Sequence, residues 1–146
     1  MSQSETVERV ACGVVSLLQL LHLSLSALVL HDVATKDNKI VTPKSDSILP
    51  SITRRSLMYV AEHYLGLEVE QREVYLDEVP NFVECGLCGT AAVISPIGKI
   101  VDHGREICFA SGMDEMGPVL SKLRETLVDI QEGRIEAPEG WIHVIE

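Results

Sequence analysis

The chain has 146 residues, enough for one domain with a core of its own, and its 46% hydrophobic content argues against intrinsic disorder. Twelve Lys and Arg against 22 Asp and Glu leave a formal net charge of -10. That balance argues against nucleic-acid or anionic-membrane binding, which needs a basic patch, but leaves room for a local anion site built from Arg54, Arg55 or Arg105. Residues 1–9 are polar and slightly acidic. Residues 10–33 are strongly apolar, interrupted by Ser16, Gln19, His22, Ser24, Ser26 and His31. A membrane-spanning helix needs about 20 mostly apolar residues, so length alone permits one. The polar interruptions argue against a membrane segment, and Glu5 and Glu8 oppose the positive start of a signal peptide. The period here is ambiguous: residues 14–21 read as a helix and residues 21–26 alternate like a strand, so a core or interface segment is the expectation.

Residues 35–39 read as a turn, Ile40-Val41 as a short strand and residues 43–46 as a loop. Pro50 breaks what precedes it, and Ser51 or Thr53 can cap a helix carrying Leu57, Met58, Ala61, Tyr64 and Leu65. Gly66 suits the residue just past the end of that helix. Residues 67–76, rich in Val and alternating Glu, predict a strand with one wet face, and Asp77-Glu78-Val79 opens a short helical turn. Residues 82–85 read as a strand running into a Gly-rich loop at Gly86 and Gly89. Residues 91–97 read as a buried strand ended by Pro96 and Gly98. Ile100-Val101 and residues 107–109 are two more short strands joined by a turn at His103-Gly104.

From Gly117 the pattern becomes helical, with Val119, Leu120, Leu123, Leu127 and Ile130 on one stripe, Pro118 in the first turn and Gly133 past the end. Residues 137–141 form a turn whose Trp141 anchors the tail. The whole predicts an α+β fold with a small, mostly β core, without internal repeats or low-complexity runs.

Four cysteines, Cys12, Cys85, Cys88 and Cys108, do not make a disulfide framework without a secretory signal. Cys85-x-x-Cys88 fits a redox pair or half of a zinc site, but no second ligand pair follows, so no metal is expected. The simpler reading is two small, partly buried residues in a Gly-rich turn.

Two stretches read as anion cradles. In Glu84-Cys85-Gly86-Leu87-Cys88-Gly89-Thr90-Ala91-Ala92 the glycines let the backbone turn and approach a ligand, and Thr90 adds a hydroxyl. In Ile48-Leu49-Pro50-Ser51-Ile52-Thr53-Arg54 a loop enters a helix, whose start offers unpaired N–H groups and a positive dipole end suited to a phosphate. Each signal alone is common, and most such segments bind nothing.

Together these stretches carry a resemblance. Residues 48–56 followed by Cys88-Gly89-Thr90-Ala91-Ala92 resemble the second half of the branched-chain amino-acid aminotransferases, pyridoxal-phosphate enzymes of the D-amino-acid-aminotransferase fold type. Gly117-Pro118, Lys122-Leu123, Ile130-Gln131-x-Gly133 and residues 137–141 are similar to that family's C-terminus. The likeness runs from about residue 40 to residue 146. It implies residues 40–146 to be the second, C-terminal domain of that α+β fold, incomplete, with residues 1–39 an apolar segment unlike the family.

By this resemblance pyridoxal 5'-phosphate is the cofactor. Ile52, Thr53 and Thr90 match its phosphate ligands, Leu49 matches the residue packed on its ring, and Thr90, Ala91 and Ala92 lie where the substrate carboxylate binds. Ser51 stands where many members carry Gly. The implied substrates are leucine, isoleucine or valine with 2-oxoglutarate, in a cytoplasmic setting and with a homodimer as one assembly. The Schiff-base lysine of the family and its Glu-Val-Gly-Thr-like stretch have no match in residues 1–39, where the lysines are Lys36 and Lys39. Lys44, Lys99 and Lys122 lie outside the lysine motif too, and His63, His103 and His143 have no nucleophile or carboxylate pattern around them. The resemblance therefore implies a truncated or altered aminotransferase without a catalytic residue of its own, or a non-catalytic domain with weak phosphate binding.

Overall fold

The computed structural model describes residues 13–16, 28–32, 38–44, 51–111 and 113–145. The strands are β1 (Gly13–Ser16), β2 (Leu28–Asp32), β3 (Lys39–Pro43), β4 (Glu68–Arg72), β5 (Glu84–Gly89), β6 (Val93–Asp102) and β7 (Arg105–Cys108). Two α-helices, α1 (Ile52–His63) and α2 (Pro118–Gln131), and a 3-10 turn at Val79–Asn81 complete the described elements. All seven strands join one mixed sheet in the order β1-β6-β5-β2-β3-β4, with β7 also paired to β6. This is the α+β arrangement that the alternating periods predict.

Side chains alternate across the sheet and build two cores. Ile40 of β3 and Cys88 of β5 face α1 and α2, where Leu57, Val60, Ala61, Leu120, Leu123, Leu127 and Ile130 close the larger cluster. Val41 and Cys85 face the other way, toward Val79, Phe82, Ile107 and Phe109. Both helices therefore lie on one face, each through the apolar stripe legible in its sequence.

The strands correct several expectations. Residues 14–16 are strand, parallel to β6, and not the start of a helix. Residues 17–27, which include the alternating stretch 21–26, lie outside the described residues. No helix among the described residues is long and apolar enough to cross a membrane. Gly86 and Gly89 do not form a turn; both are ladder residues of β5, paired with Pro96 and Val93. Gly86 is needed for room instead, because a Cβ there would lie 2.7 Å from Ile94 Cγ2 and 3.0 Å from Leu120 Cδ1.

Neither Pro96 nor Gly98 ends β6. Pairing with β1 begins only at Ile97, so among the described residues one edge of the strand is unpaired at Pro96, which makes its missing N–H tolerable. The register with β1 then skips a residue at Gly98, a bulge that lets Ile97 and Ile100 join the same cluster. Gly98 also has no room for a side chain, with Met113 Cγ 2.3 Å from the position of a Cβ.

The expected turn at His103-Gly104 is a two-residue hairpin with φ 45° and 86°, the sign a tight hairpin requires at both positions. The tail folds back as expected: the Trp141 ring lies 5.2 Å from that of Tyr59, and the Tyr64 hydroxyl donates to the Glu136 carbonyl at 2.7 Å. At the sheet's far side β4 is an edge strand guarded by charge. Lys39 Nζ lies 2.8 Å from Glu70 and 3.2 Å from Glu68, and Arg72 binds Glu70 at 3.1 Å and Glu78 at 2.8 Å.

Candidate functional site

The site is built from two segment ends. Ser51, in extended backbone at φ -89°, caps α1: its Oγ accepts the N–H of Arg54 at 3.1 Å, and its carbonyl accepts the N–H of Arg55 at 3.1 Å. That leaves the N–H groups of Ile52 and Thr53 without an acceptor inside the helix. Helix starts normally favour carboxylates, yet the first turn of α1 has none and carries Arg54 and Arg55 instead. The result is a positive spot on a chain whose formal charge is -10.

The other segment is the turn after β5. Thr90, Ala91 and Ala92 are exposed and connect Gly89 to Val93. Val93 has φ 62°, a conformation that a β-branched residue rarely adopts. Its side chain is held in the core under α1 and α2, so the turn leaves β5 and enters β6 under constraint. Arg54 approaches the end of β5 closely enough that its charge opposes the upward shift of the Cys88 thiol. The first turn of α1 thus lies beside β5, the strand that leads into Thr90.

Of the expected site residues, Ile52 is 73% exposed and Thr53 is half-buried in the same helical turn. Leu49 lies outside the described residues. A groove of about 1000 Å³ runs along α1 toward β4 and α2, with Ile52, Arg54, Tyr59, Gln71, Leu127 and Trp141 among its walls. Thr90, Ala91 and Ala92 do not line it.

The contrast with α2 is informative. Gly117, its N-cap, has no side chain to offer, and the cap comes from β5: Glu84 accepts the N–H of Val119 at 3.2 Å and of Leu120 at 2.9 Å. The positive end of α2 is thereby capped by a carboxyl group from the sheet, whereas among the described residues none does so for α1. Sequence reasoning gave Glu84 no role; its signal is an acidic residue at the head of an apolar strand, 33 positions before a helix start that lacks a capping side chain.

The Cys85-x-x-Cys88 reading takes a different form from a turn. In a strand, residues three apart point to opposite faces, and these two thiols lie in different cores, 1% and 6% exposed. They can share neither a metal nor a disulfide. Burial pushes both thiols up, Cys88 to about 11, which keeps them protonated and inert. Among the described residues no group of three His, Cys, Asp or Glu could hold a metal ion.

The lysines are equally informative. Carboxylates at Glu70 and Glu68 raise the Lys39 ammonium above its ordinary range, and Glu106 raises that of Lys99. A nucleophilic amine needs the opposite shift. Among the described residues, the Ile52 and Thr53 amides, which have no acceptor inside α1, are the groups whose chemistry suits a phosphate. The described residues show no amine prepared to hold an aldehyde.

The comparisons with known proteins agree with this architecture. The sequence model of the amino-transferase class IV family matches residues 33–100, and over that segment the chain is similar to the class IV amino-transferases. The curated proteins it resembles are branched-chain aminotransferases. It is 54% identical over 112 residues to the branched-chain-amino-acid aminotransferase of Haemophilus influenzae, covering 77% of this chain and 32% of that one. It is 44% identical over 108 residues to the enzyme of Helicobacter pylori, covering 74% and 31%.

Among solved structures, it matches the branched-chain amino acid aminotransferase of Thermobaculum terrenum in its PLP form. The TM-score is 0.63 at 35% identity, with 75% of this chain and 33% of that chain covered. The Escherichia coli enzyme matches with TM-score 0.64 at 27% identity over 79% of this chain and 35% of that one. The chain spans about a third of the length of the curated relatives it matches.

Proposed function

We propose that this chain supplies the phosphate seat and the substrate-carboxylate turn of a pyridoxal-phosphate-dependent branched-chain aminotransferase, acting on leucine, isoleucine or valine and 2-oxoglutarate. The observation that carries the reading is the start of α1, where Ser51 satisfies the Arg54 amide and leaves those of Ile52 and Thr53 for an anion. When bound, the cofactor supplies an electrophilic aldehyde and an electron-withdrawing ring. Ile52 and Thr53 donate backbone N–H groups to its phosphate, the Thr90 hydroxyl adds a further donor, and the small Ala91 and Ala92 leave space for a substrate carboxylate. By the resemblance, Leu49 would offer an apolar face to the ring.

A second reading is supported by the lysines. With Lys39 and Lys99 held as ammonium ions by carboxylates, the chain by itself seats a phosphate without transaminating. Three charge-assisted hydrogen bonds at roughly 1.5–3 kcal/mol each, less an association cost of about 4 kcal/mol or more, leave affinity near or weaker than millimolar.

The test is titration of the full chain with pyridoxal phosphate, followed by borohydride reduction and mass spectrometry. Weak binding that Thr90→Val reduces and Ser56→Ala does not, without a specifically labelled lysine, is expected. One labelled lysine with leucine-dependent glutamate formation would overturn the second reading. Unchanged affinity in Thr90→Val with reduced affinity in Ser56→Ala would overturn the site itself.

A further inference from the structure

Arg54 makes two connections in the first turn of α1. Its backbone N–H goes to the Ser51 hydroxyl, and its side chain reaches back across the sheet end, where Nη1 donates to the Pro43 carbonyl at 2.8 Å. Pro43 is the last residue of β3 and Ser51 the cap of α1, so this bond joins the two flanks of the connection between them. The Nε–H of Arg54 is buried and has no acceptor among the described residues. A buried donor without an acceptor is costly, and a guanidinium kept there despite the cost, at the helix end where a cation is least favoured, serves something other than helix stability. Arg55, one residue on, carries the same charge but is exposed.

We propose that Arg54 is a positioning residue for the anion seat: by tying the first turn of α1 to the final carbonyl of β3, it holds the Ile52 and Thr53 amides where a phosphate can take both. This rests on the reading of the α1 start as a phosphate seat and adds to it a division of labour between neighbouring arginines. Arg55 contributes only a solvated charge, which solvent and salt screen. Arg54 contributes geometry, because its planar fork can satisfy a carbonyl with one nitrogen and keep others for a second acceptor, which a lysine ammonium cannot reproduce in the same plane.

The test compares the full chain with Arg54→Met, Arg54→Lys and Arg55→Met. The probe is pyridoxine 5'-phosphate, which has the phosphate and the ring but no aldehyde, so surface lysines do not react with it. Affinity is read from the shift of the ligand's phosphorus resonance at a temperature where circular dichroism shows each variant folded. The expected result is that Arg54→Met weakens binding at least fivefold more than Arg55→Met, although each removes one charge, and that Arg54→Lys restores less than half of the loss.

Equal losses in Arg54→Met and Arg55→Met would show that charge alone matters and overturn the proposal. So would a lowered Tm in Arg54→Met with unchanged affinity, or full rescue by Arg54→Lys. If Arg54→Met does not fold, Arg54→Lys against Arg55→Lys decides the same point: equal affinities overturn the proposal. Absence of binding by the unsubstituted chain would remove the phosphate seat together with the role of Arg54, an outcome distinct from a seat that binds indifferently to Arg54.

Discussion

The carboxylate of Glu84, at the first residue of β5, accepts the backbone N–H of Leu120, in the first turn of α2, at 2.9 Å. A buried side chain from the sheet thus does for α2 what Ser51 does for α1. The bond needs Gly117, because a Cβ there would lie 2.3 Å from the Glu84 carboxyl carbon. Glu84→Ala is expected to destabilise the fold by about 3 kcal/mol, since it strips a charged acceptor from two amides. Glu84→Gln, which keeps one oxygen, is expected to cost about half of that. Gly117→Ala is expected to cost about 1–3 kcal/mol through displacement of the carboxylate rather than through backbone strain, its φ being -65°. Urea unfolding of the three variants checks the order.

The two glycines of β5 should behave differently although both are strand residues. Gly86→Ala places a methyl against Ile94 and Leu120 and is expected to cost about 1–3 kcal/mol. Nothing lies within 4 Å of a Cβ at Gly89, so Gly89→Ala is expected to be close to neutral in stability. Thermal unfolding distinguishes them, and a Gly89→Ala loss as large as that of Gly86→Ala would contradict the strand assignment.

Val93 predicts an inverted substitution order. Its φ of 62° favours glycine by about 1–2 kcal/mol over a residue with a Cβ. Val93→Ala loses apolar burial and keeps the strain, whereas Val93→Gly loses burial and relieves it. Val93→Gly is therefore expected to be at least as stable as Val93→Ala, the reverse of the usual ranking in a strand. Chemical denaturation of the two variants measures the difference.

The Cys88 thiol links stability to alkaline pH. Its folded value is pushed up to about 11 from an ordinary value of 9.0, mainly by burial, so above pH 9 the unfolded chain releases a proton that the folded one keeps. The stabilisation is complete below pH 9 and is lost as pH rises toward 11, by about 3 kcal/mol if the whole shift is realised. Cys88→Ala should reduce the loss of stability across that window without removing it, because the buried Cys85 thiol, also pushed up, acts in the same direction; urea midpoints from about pH 8 to about pH 11 measure the difference.

Much of the fold was legible where the signal is local. Ser51 as a cap, the stripes of both helices, Gly66 at φ 64° past α1 and the His103-Gly104 hairpin all follow from residues within one or two turns of each other. The misreadings at Gly86, Gly89, Pro96 and Gly98 share one cause: these residues are turn-formers by local preference, and their place in the β5–β6 pairing overrides that preference. Gly86 is glycine because Ile94 of β6 and Leu120 of α2 both pack over it, and the second of these sits more than 30 residues away. The Ile52 and Thr53 amides without an acceptor inside α1 could be read from the Ser51 pattern, but the Glu84 cap and the Arg54 tie to Pro43 could not, since both are contacts between segments without a shared period.

The charged ladder along β4 has a consequence for how this protein behaves in bulk. An open sheet edge is a template on which another chain can add a strand, and here no further strand among the described residues covers it. Glu68, Glu70 and Arg72 contribute little to the stability of the fold from so exposed a position. Their effect is colloidal: an arriving strand must strip water from this row of ions before it can form a single hydrogen bond. Protection of that kind belongs to the solvent as much as to the chain, and dissolved ions that shorten the reach of charge weaken it while leaving the folded structure intact.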